Sequence, residues 1–127
     1  MNQAQLSAII EKARNDGSDT LDLSREELES LPAEIGGLTG LVELDLSGNQ
    51  LTGLPSDIGK LTALTRLNIR NNQLTSIPPE IGNLVNLKGL FLQVNQLTEL
   101  PPEIASLTQL SRLNVSNNHL KRLPPEI

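Results

Sequence analysis

The sequence predicts an α/β solenoid. We expect a curved stack of short units with five short parallel strands on the concave face, short helical or 3-10 turns on the convex face, and an N-terminal cap helix. Leucine supplies 26 of the 127 residues, and the chain repeats itself every 23 residues. It contains one Phe, no Tyr and no Trp. The core must therefore close with aliphatic side chains of nearly uniform size, which suits a repeated packing unit.

The repeat is visible as columns of identical residues. Aligned leucines, asparagines and prolines follow the 23-residue step: Leu41, Leu64, Leu87 and Leu110; Asn49, Asn72, Asn95 and Asn118; Pro55, Pro78, Pro101 and Pro124. This step predicts a cap, 1–17, and a repeat domain, 18–127. The repeat domain divides into the units 18–40, 41–63, 64–86 and 87–109 and a partial fifth unit, 110–127.

Each unit reads L-x-x-L-x-L-x-x-N-x-L-x-x-L-P-x-x-I-x-x-L-x-x. The first half resembles the leucine-rich-repeat pattern. The second half, Leu-Pro-x-x-Ile-Gly-x-Leu, resembles the bacterial, plant and Ras-associated subgroup of that family. The resemblance covers residues 18–127 and implies a binding scaffold, often part of a larger signalling protein. Roco-type GTPases are similar, since they carry 23-residue repeats ahead of their GTPase domain.

The segment Leu44-Asp45-Leu46 alternates apolar and polar residues. This period of two predicts a short strand whose leucines face the core while Asp45 faces outward. One strand per unit, all in the same direction, predicts a parallel sheet with right-handed crossovers. An Asn follows each strand, and its amide both donates and accepts hydrogen bonds. We therefore expect a structural ladder of Asn49, Asn72, Asn95 and Asn118.

The return segment of each unit begins with Pro, which suits the first position of a helical turn. Gly36, Gly59 and Gly82 follow, and we expect them to end these turns. Ala105 stands at this place in the fourth unit.

Residues 2–16 predict the cap helix. Asn2 and Gln5 form the pattern of a capping box, and Gly17 follows the predicted end. Four apolar residues share one helical face, which we expect to cover the core of the first unit: Leu6, Ile9, Ile10 and Ala13.

The composition excludes several classes of site. Without Cys there is no disulfide, thiolate catalyst or cysteine-ligated zinc, and His119 is the one histidine. We expect no cofactor and no metal.

A net charge of −5 argues against nucleic acid as a partner, and the apolar runs are too short for a membrane span. Residues 1–5 lack the pattern of a signal peptide, and extracellular relatives usually have cysteine-stapled caps, so we expect a cytoplasmic location.

The outward positions of the predicted strands carry the functional information, because packing does not dictate them. They are acidic in the N-terminal half and basic in the C-terminal half, with one aromatic among the bases. Aromatic and Arg residues are typical interface anchors. The sequence therefore predicts non-enzymatic binding of a protein or peptide by Phe91, Arg66, Arg70, Arg112, Val94, Asp22, Glu43 and Asp45.

Two further hypotheses follow from the same register. Asp22 and Asp45 should lie about 5 Å apart, the separation of the two carboxyls of a retaining glycosidase. This hydrolase is the weaker alternative, since an open face does not supply an enclosed pocket. The C-terminal edge should expose the core positions Leu113, Val115 and Leu120, which predicts a homodimer through that edge.

Overall fold

The computed structural model describes residues 1–125, so Glu126 and Ile127 of the predicted fifth unit lie outside the described residues. One helix precedes five repeats of a short strand. The elements are α1 (Gln3–Asp16), β1 (Thr20–Asp22), β2 (Glu43–Asp45), β3 (Arg66–Asn68), β4 (Gly89–Phe91) and β5 (Arg112–Asn114). The 3-10 turns between successive strands are Ala33–Gly37, Ser56–Lys60, Pro79–Asn83 and Pro102–Ser106.

The strands form one parallel sheet in the order β1-β2-β3-β4-β5. Residues 23 positions apart are register partners, so Leu44 lies between Leu21 and Leu67. The inward leucines and isoleucines form one continuous buried core along the stack. The solenoid predicted from the repeat is therefore confirmed. In the described part of the chain, no helix has the length and apolar character needed to cross a membrane.

Helix α1 begins at the predicted capping box. The backbone N–H of Gln5 donates to Asn2 Oδ1 at 2.8 Å, and the N–H of Asn2 donates to Gln5 Oε1 at 2.9 Å. The helix ends at Gly17, whose φ of 62° is left-handed. Its buried side chains belong to the same core as the first repeat unit: Leu6, Ile10 and Ala13.

An asparagine joins each unit from the second to the fifth to the unit before it, and Asn49, Asn72 and Asn95 are buried. Asn72 Nδ2 donates to Leu46 O in the preceding unit at 2.9 Å, and to Ile69 O in its own unit at 3.1 Å. Its Oδ1 accepts the backbone N–H of Leu51 at 3.0 Å. The same pattern recurs at Asn49, Asn95 and Asn118.

The glycines of the return segments do not end their turns, and that expectation is wrong. Gly36, Gly59 and Gly82 lie inside the 3-10 turns, and the positive-φ glycines of the described residues are Gly17 and Gly48. The reason for glycine is the neighbouring turn. A Cβ on Gly59 would lie 2.8 Å from the carbonyl oxygen of residue 80 in the next unit. Close stacking of the convex turns therefore requires glycine here.

The asparagine ladder predicts a specific loss of stability. Asn72→Leu should lower the free energy of unfolding by about 3 kcal/mol or more, because each buried group left unpaired costs about 1–3 kcal/mol. Asn71→Gly is the matched control, since Asn71 is exposed and Gly tolerates its φ of 56°; it should change the value by less than about 0.5 kcal/mol. Equal losses in urea unfolding would show that the ladder is not what joins the units.

The stacking of the turns predicts a second difference. Gly59→Ala should lower the free energy of unfolding by about 1–3 kcal/mol, because the added methyl group is forced against backbone of the next unit. Gly53→Ala is the control, since no atom lies within 4 Å of a Cβ built there. Chemical denaturation of both variants measures the difference. A Gly59→Ala protein as stable as the control would refute the steric role of the glycine.

Candidate functional site

The concave face consists of the outward side chains of the five strands and of the turns that follow them. In the first column, the register aligns Thr20, Glu43, Arg66, Gly89 and Arg112. In the central column it aligns Asp22, Asp45, Asn68, Phe91 and Asn114. Parallel strands lie about 4.8 Å apart, so neighbours within a column can touch.

The central-column residue forms a side-chain hydrogen bond within its own turn in four of the five units. Asp45 Oδ1 accepts from the backbone N–H and the hydroxyl of Ser47 at 2.9 and 2.7 Å. The same side-chain turn forms at the other Asp and Asn residues of the column, which bond the residue two positions later: Asp22, Asn68 and Asn114. Asp and Asn are the residues that make this local turn.

Phe91 breaks the column. Its side chain has no acceptor, and among the described residues no side chain bonds the backbone N–H of Gln93. The fourth unit therefore gives up a hydrogen bond that every other unit makes. Phe91 is half-buried and lies outside the buried core cluster, so the exchange of Asp or Asn for Phe does not serve the packing of the solenoid.

Two residues of the first column, Gly89 and Arg66, lie against the Phe91 ring. A Cβ on Gly89 would lie 3.0 Å from Phe91 Cε2, so the absence of a side chain makes room for the ring. The guanidinium carbon of Arg66 lies 5.0 Å from the ring centroid, a cation–π distance. The ring is therefore held over β4 with Arg66 on one face.

Val94 occupies a strained backbone position in the turn after β4. The aligned residues of the five units all have positive φ: Arg25, Gly48, Asn71, Val94 and Asn117. Gly and Asn adopt this conformation readily, whereas a β-branched residue at φ 60° is an outlier. Val94 is 45% exposed, so burial of its side chain does not offset this strain.

Gln93 is the third unusual residue of this unit. Its Oε1 is buried and has no hydrogen-bond partner among the described residues. Buried polar atoms are normally paired. Gln93 and Gly89 were not among the predicted site residues, although both differ from the other residues of their columns.

The acidic end of the face is built differently. Asp22, Glu43 and Asp45 line a depression of about 330 Å³ together with Arg66 and Asn68. Hydrogen bonds from the Ser24 hydroxyl and then from the Ser24 backbone N–H hold the pKa of Asp22 below its usual value. A glycosidase needs one protonated carboxyl as its general acid. The lowered pKa makes Asp22 unsuited to that role, Asp22 and Asp45 each use Oδ1 in a local turn, and the depression is open and not enclosed, so the hydrolase hypothesis is not supported.

The charged side chains of the concave face form no ion pair among the described residues. The ion pairs found in residues 1–125 are Lys12–Asp16 and Lys60–Asp57, both away from this face. Glu43 and Arg66 are register partners, yet Arg66 lies over Phe91 and makes no ion pair there. Asp22 and Asp45 each use Oδ1 in a local turn and Arg66 lies over Phe91, but their charges are not neutralised by an ion pair among residues 1–125.

The structure places all eight predicted site residues on this face or in its flanking turns. It brings Phe91 and Arg66 into contact, and it groups Asp22, Glu43 and Asp45 at the other end. Asn68, the central-column residue of β3, lies on the face but is only 7% exposed. It is therefore not a free contact residue.

Comparisons with known proteins match most of the repeat region. The family model described as leucine rich repeat matches residues 62–120, and the one described as leucine rich repeats in two copies matches residues 39–83. Together they cover more than half of the chain. No curated protein sequence matches it.

Three solved structures illustrate the similarity. A leucine-rich-repeat protein of Leptospira interrogans is 38% identical over 91% of this chain, with a TM-score of 0.68. A chain in the BIR3–SERK2 complex of Arabidopsis thaliana is 34% identical over 84%, with a TM-score of 0.75. Internalin C2 of Listeria monocytogenes is 29% identical over 87%, with a TM-score of 0.76. The present chain covers 36%, 60% and 47% of those chains respectively, less than two thirds of each.

The backbone strain at Val94 predicts a reciprocal pair of effects. Val94→Asn should raise the free energy of unfolding by about 1 kcal/mol, since a strained left-handed residue costs about 1–3 kcal/mol. Asn71→Val, the reverse change one unit earlier, should lower it by a similar amount. Urea unfolding of the two variants checks both signs. A destabilised Val94→Asn protein would mean that the valine side chain stabilises the fold more than its backbone strain costs.

Proposed function

This chain belongs to the leucine-rich-repeat family, and from this premise we propose that it binds a protein or peptide on its concave face. Proteins of this family and its structural neighbours are in general interaction scaffolds and not enzymes. One neighbour is itself found in a complex of two proteins. The coarse function, a protein-binding scaffold, follows from the family, whereas the face and its residues are our proposal.

The observation that carries the proposal is that the fourth unit has Phe91 where the other four units have Asp or Asn. Asp or Asn at this position completes a turn in the four other units, and Phe forfeits that turn. Within six residues the same unit also carries the strained Val94 and the unpaired Gln93 Oε1. Stability does not explain three costly choices at adjacent outward positions. Strain and unsatisfied polar groups of this kind cluster where a protein binds or reacts.

The composition of the cluster suits an interface. Phe91 and the exposed Val94 offer apolar area, Arg66 and Arg112 lie on the two strands that flank β4, and Arg70 follows β3. Aromatic and Arg side chains dominate binding hot spots, because they combine a large buried area with directed hydrogen bonds. The acidic group of Asp22, Glu43 and Asp45 extends the face and would favour basic groups of the same ligand.

Two finer predictions remain proposals. We propose that the chain is a recognition segment of a larger signalling protein, and the repeat pattern shared with Roco-type GTPases supports this. We also propose a cytoplasmic location, supported by the absence of cysteine. Purification of the protein from fractionated cells with an antibody to the repeats would test both, through its apparent mass and the fraction that contains it.

Phe91 is the residue whose loss should matter most for binding. Peptides selected on the wild-type protein by phage display should bind Phe91→Ala roughly thirtyfold more weakly, since loss of a hot-spot aromatic costs about 2 kcal/mol or more. The melting temperature should change little, because Phe91 is outside the core cluster. Val85→Ala is the control, since Val85 is 50% exposed and lies before β4, away from the concave face. Unchanged binding by Phe91→Ala would place the binding site elsewhere.

We further propose that two copies associate through the C-terminal edge. Leu113, Val115 and Leu120 are half-buried, whereas their counterparts one unit earlier are fully buried: Leu90, Leu92 and Leu97. A second copy of the same edge would bury them by a two-fold contact. Sedimentation over a wide concentration range should show a monomer–dimer equilibrium that Leu120→Glu abolishes. A strict monomer at high concentration would contradict this.

A further inference from the structure

We propose that the fourth unit binds an extended acidic peptide in which an aliphatic residue lies between two acidic residues. This inference rests on the proposed function and specifies the chemistry of the ligand. It concerns the part of the concave face formed by β3, β4 and β5, which we call the Phe91 patch and define as Arg66, Arg70, Phe91, Gln93, Val94 and Arg112.

The aliphatic preference comes from the shape of the Phe91 patch. One face of the Phe91 ring is covered by the guanidinium of Arg66 at 5.0 Å, so a second cation has no free place there. The ring itself lies against Gly89, where a Cβ would be 3.0 Å from Phe91 Cε2. Val94, held outward by its left-handed backbone, adds a branched apolar group. A leucine-sized side chain gains buried area against Phe91 and Val94 without requiring a polar partner.

The acidic preference comes from charge. Arg66 and Arg112 lie on the two strands that flank β4, Arg70 follows β3, and none of the three has an ion-pair partner among residues 1–125. The guanidinium group binds a carboxylate through two parallel hydrogen bonds. Acidic residues on both sides of the aliphatic one can reach Arg70 toward β3 and Arg112 toward β5. The positive charge of the patch is then compensated only when the ligand is present.

The length of the acidic part is limited by the sheet. From β3 to β5 is two strand spacings, about 10 Å, which an extended chain crosses in about three residues. Beyond β3 the face becomes acidic at Asp45, Glu43 and Asp22. These carboxylates would repel a longer acidic run. The ligand is therefore a short acidic motif whose continuation toward β1 is neutral or basic.

Gln93 indicates that the ligand has an extended backbone. Its Oε1 is a hydrogen-bond acceptor without a partner in the described structure. A peptide that lies across β4 presents backbone N–H groups, and a small rotation of the Gln93 side chain lets Oε1 accept one of them. An unpaired buried acceptor is unfavourable, so pairing it on binding adds to affinity.

The test uses fluorescein-labelled, amidated twelve-residue peptides and fluorescence anisotropy. The acidic probe has Glu-Leu-Glu at its centre in a Gly and Ser background. Three comparison probes replace both Glu by Gln, both Glu by Lys, or Leu by Ser. Wild type should bind the acidic probe at least about tenfold tighter than the Gln and Lys probes, and higher salt should weaken that binding. The Leu-to-Ser probe should also bind more weakly.

Protein variants identify the residues responsible. Arg70→Ala and Arg112→Ala should each weaken binding of the acidic probe about two- to fivefold, as expected for exposed charge pairs. Phe91→Asn should weaken it about thirtyfold while restoring the side chain of the neighbouring units. Gln93→Leu should weaken binding and leave the melting temperature unchanged or higher. Arg14→Ala, exposed on helix α1, is the charge-matched control and should bind as wild type does.

A charge reversal separates this inference from the general proposal. The double variant Arg70→Glu, Arg112→Glu should prefer the Lys probe over the acidic one. Equal binding of the acidic and Gln probes, still abolished by Phe91→Asn, would overturn the acidic inference and leave the concave-face function standing. No binding of any probe by folded wild type would also overturn this inference, while the phage-display comparison of Phe91→Ala decides the general function independently.

Discussion

The structure depends on the asparagine ladder, which has one side chain in each unit from the second to the fifth. Asn49, Asn72 and Asn95 are nearly inaccessible, and each bonds backbone groups of its own unit and of the preceding one. A turn that faces the core would otherwise leave several N–H and C=O groups without water or a partner, at about 1–3 kcal/mol for each group. The asparagine removes this cost, and in doing so it fixes the distance and register between units.

Once the register is fixed, most other residues follow from it. The strands must lie parallel with leucine beside leucine, as Leu44 does beside Leu67. The convex turns then approach so closely that a Cβ at Gly59 would contact backbone of the next unit. Only the outward columns remain free to vary. Even there, the local turn restricts position 45 and its counterparts to residues such as Asp or Asn. Fewer outward positions can therefore vary freely than the strand pattern alone suggests.

This distinction explains what could be predicted from the sequence. Strand positions, the asparagine ladder and the capping box of α1 depend on spacing within or between units, and spacing is visible in the sequence. The role of Gly59 depends on how closely two turns pack, and the burial of Asn68 depends on its neighbours across the sheet. The strain at Val94 depends on a backbone angle. These features have no signature in one unit alone, although Gly89 and Gln93 differ visibly from their columns.

The central claim is that the fourth unit gives up stability for binding. The most direct measurement compares wild type with a variant in which four residues of that unit take residues found in the same columns of other units: Gly89→Thr, Phe91→Asn, Gln93→Ser and Val94→Asn. Urea unfolding and peptide anisotropy are measured on the same samples. The account predicts a higher free energy of unfolding, by about 1–2 kcal/mol from the restored turn and the relieved strain, together with loss of binding of the acidic probe. A less stable variant that still binds the probe would contradict it.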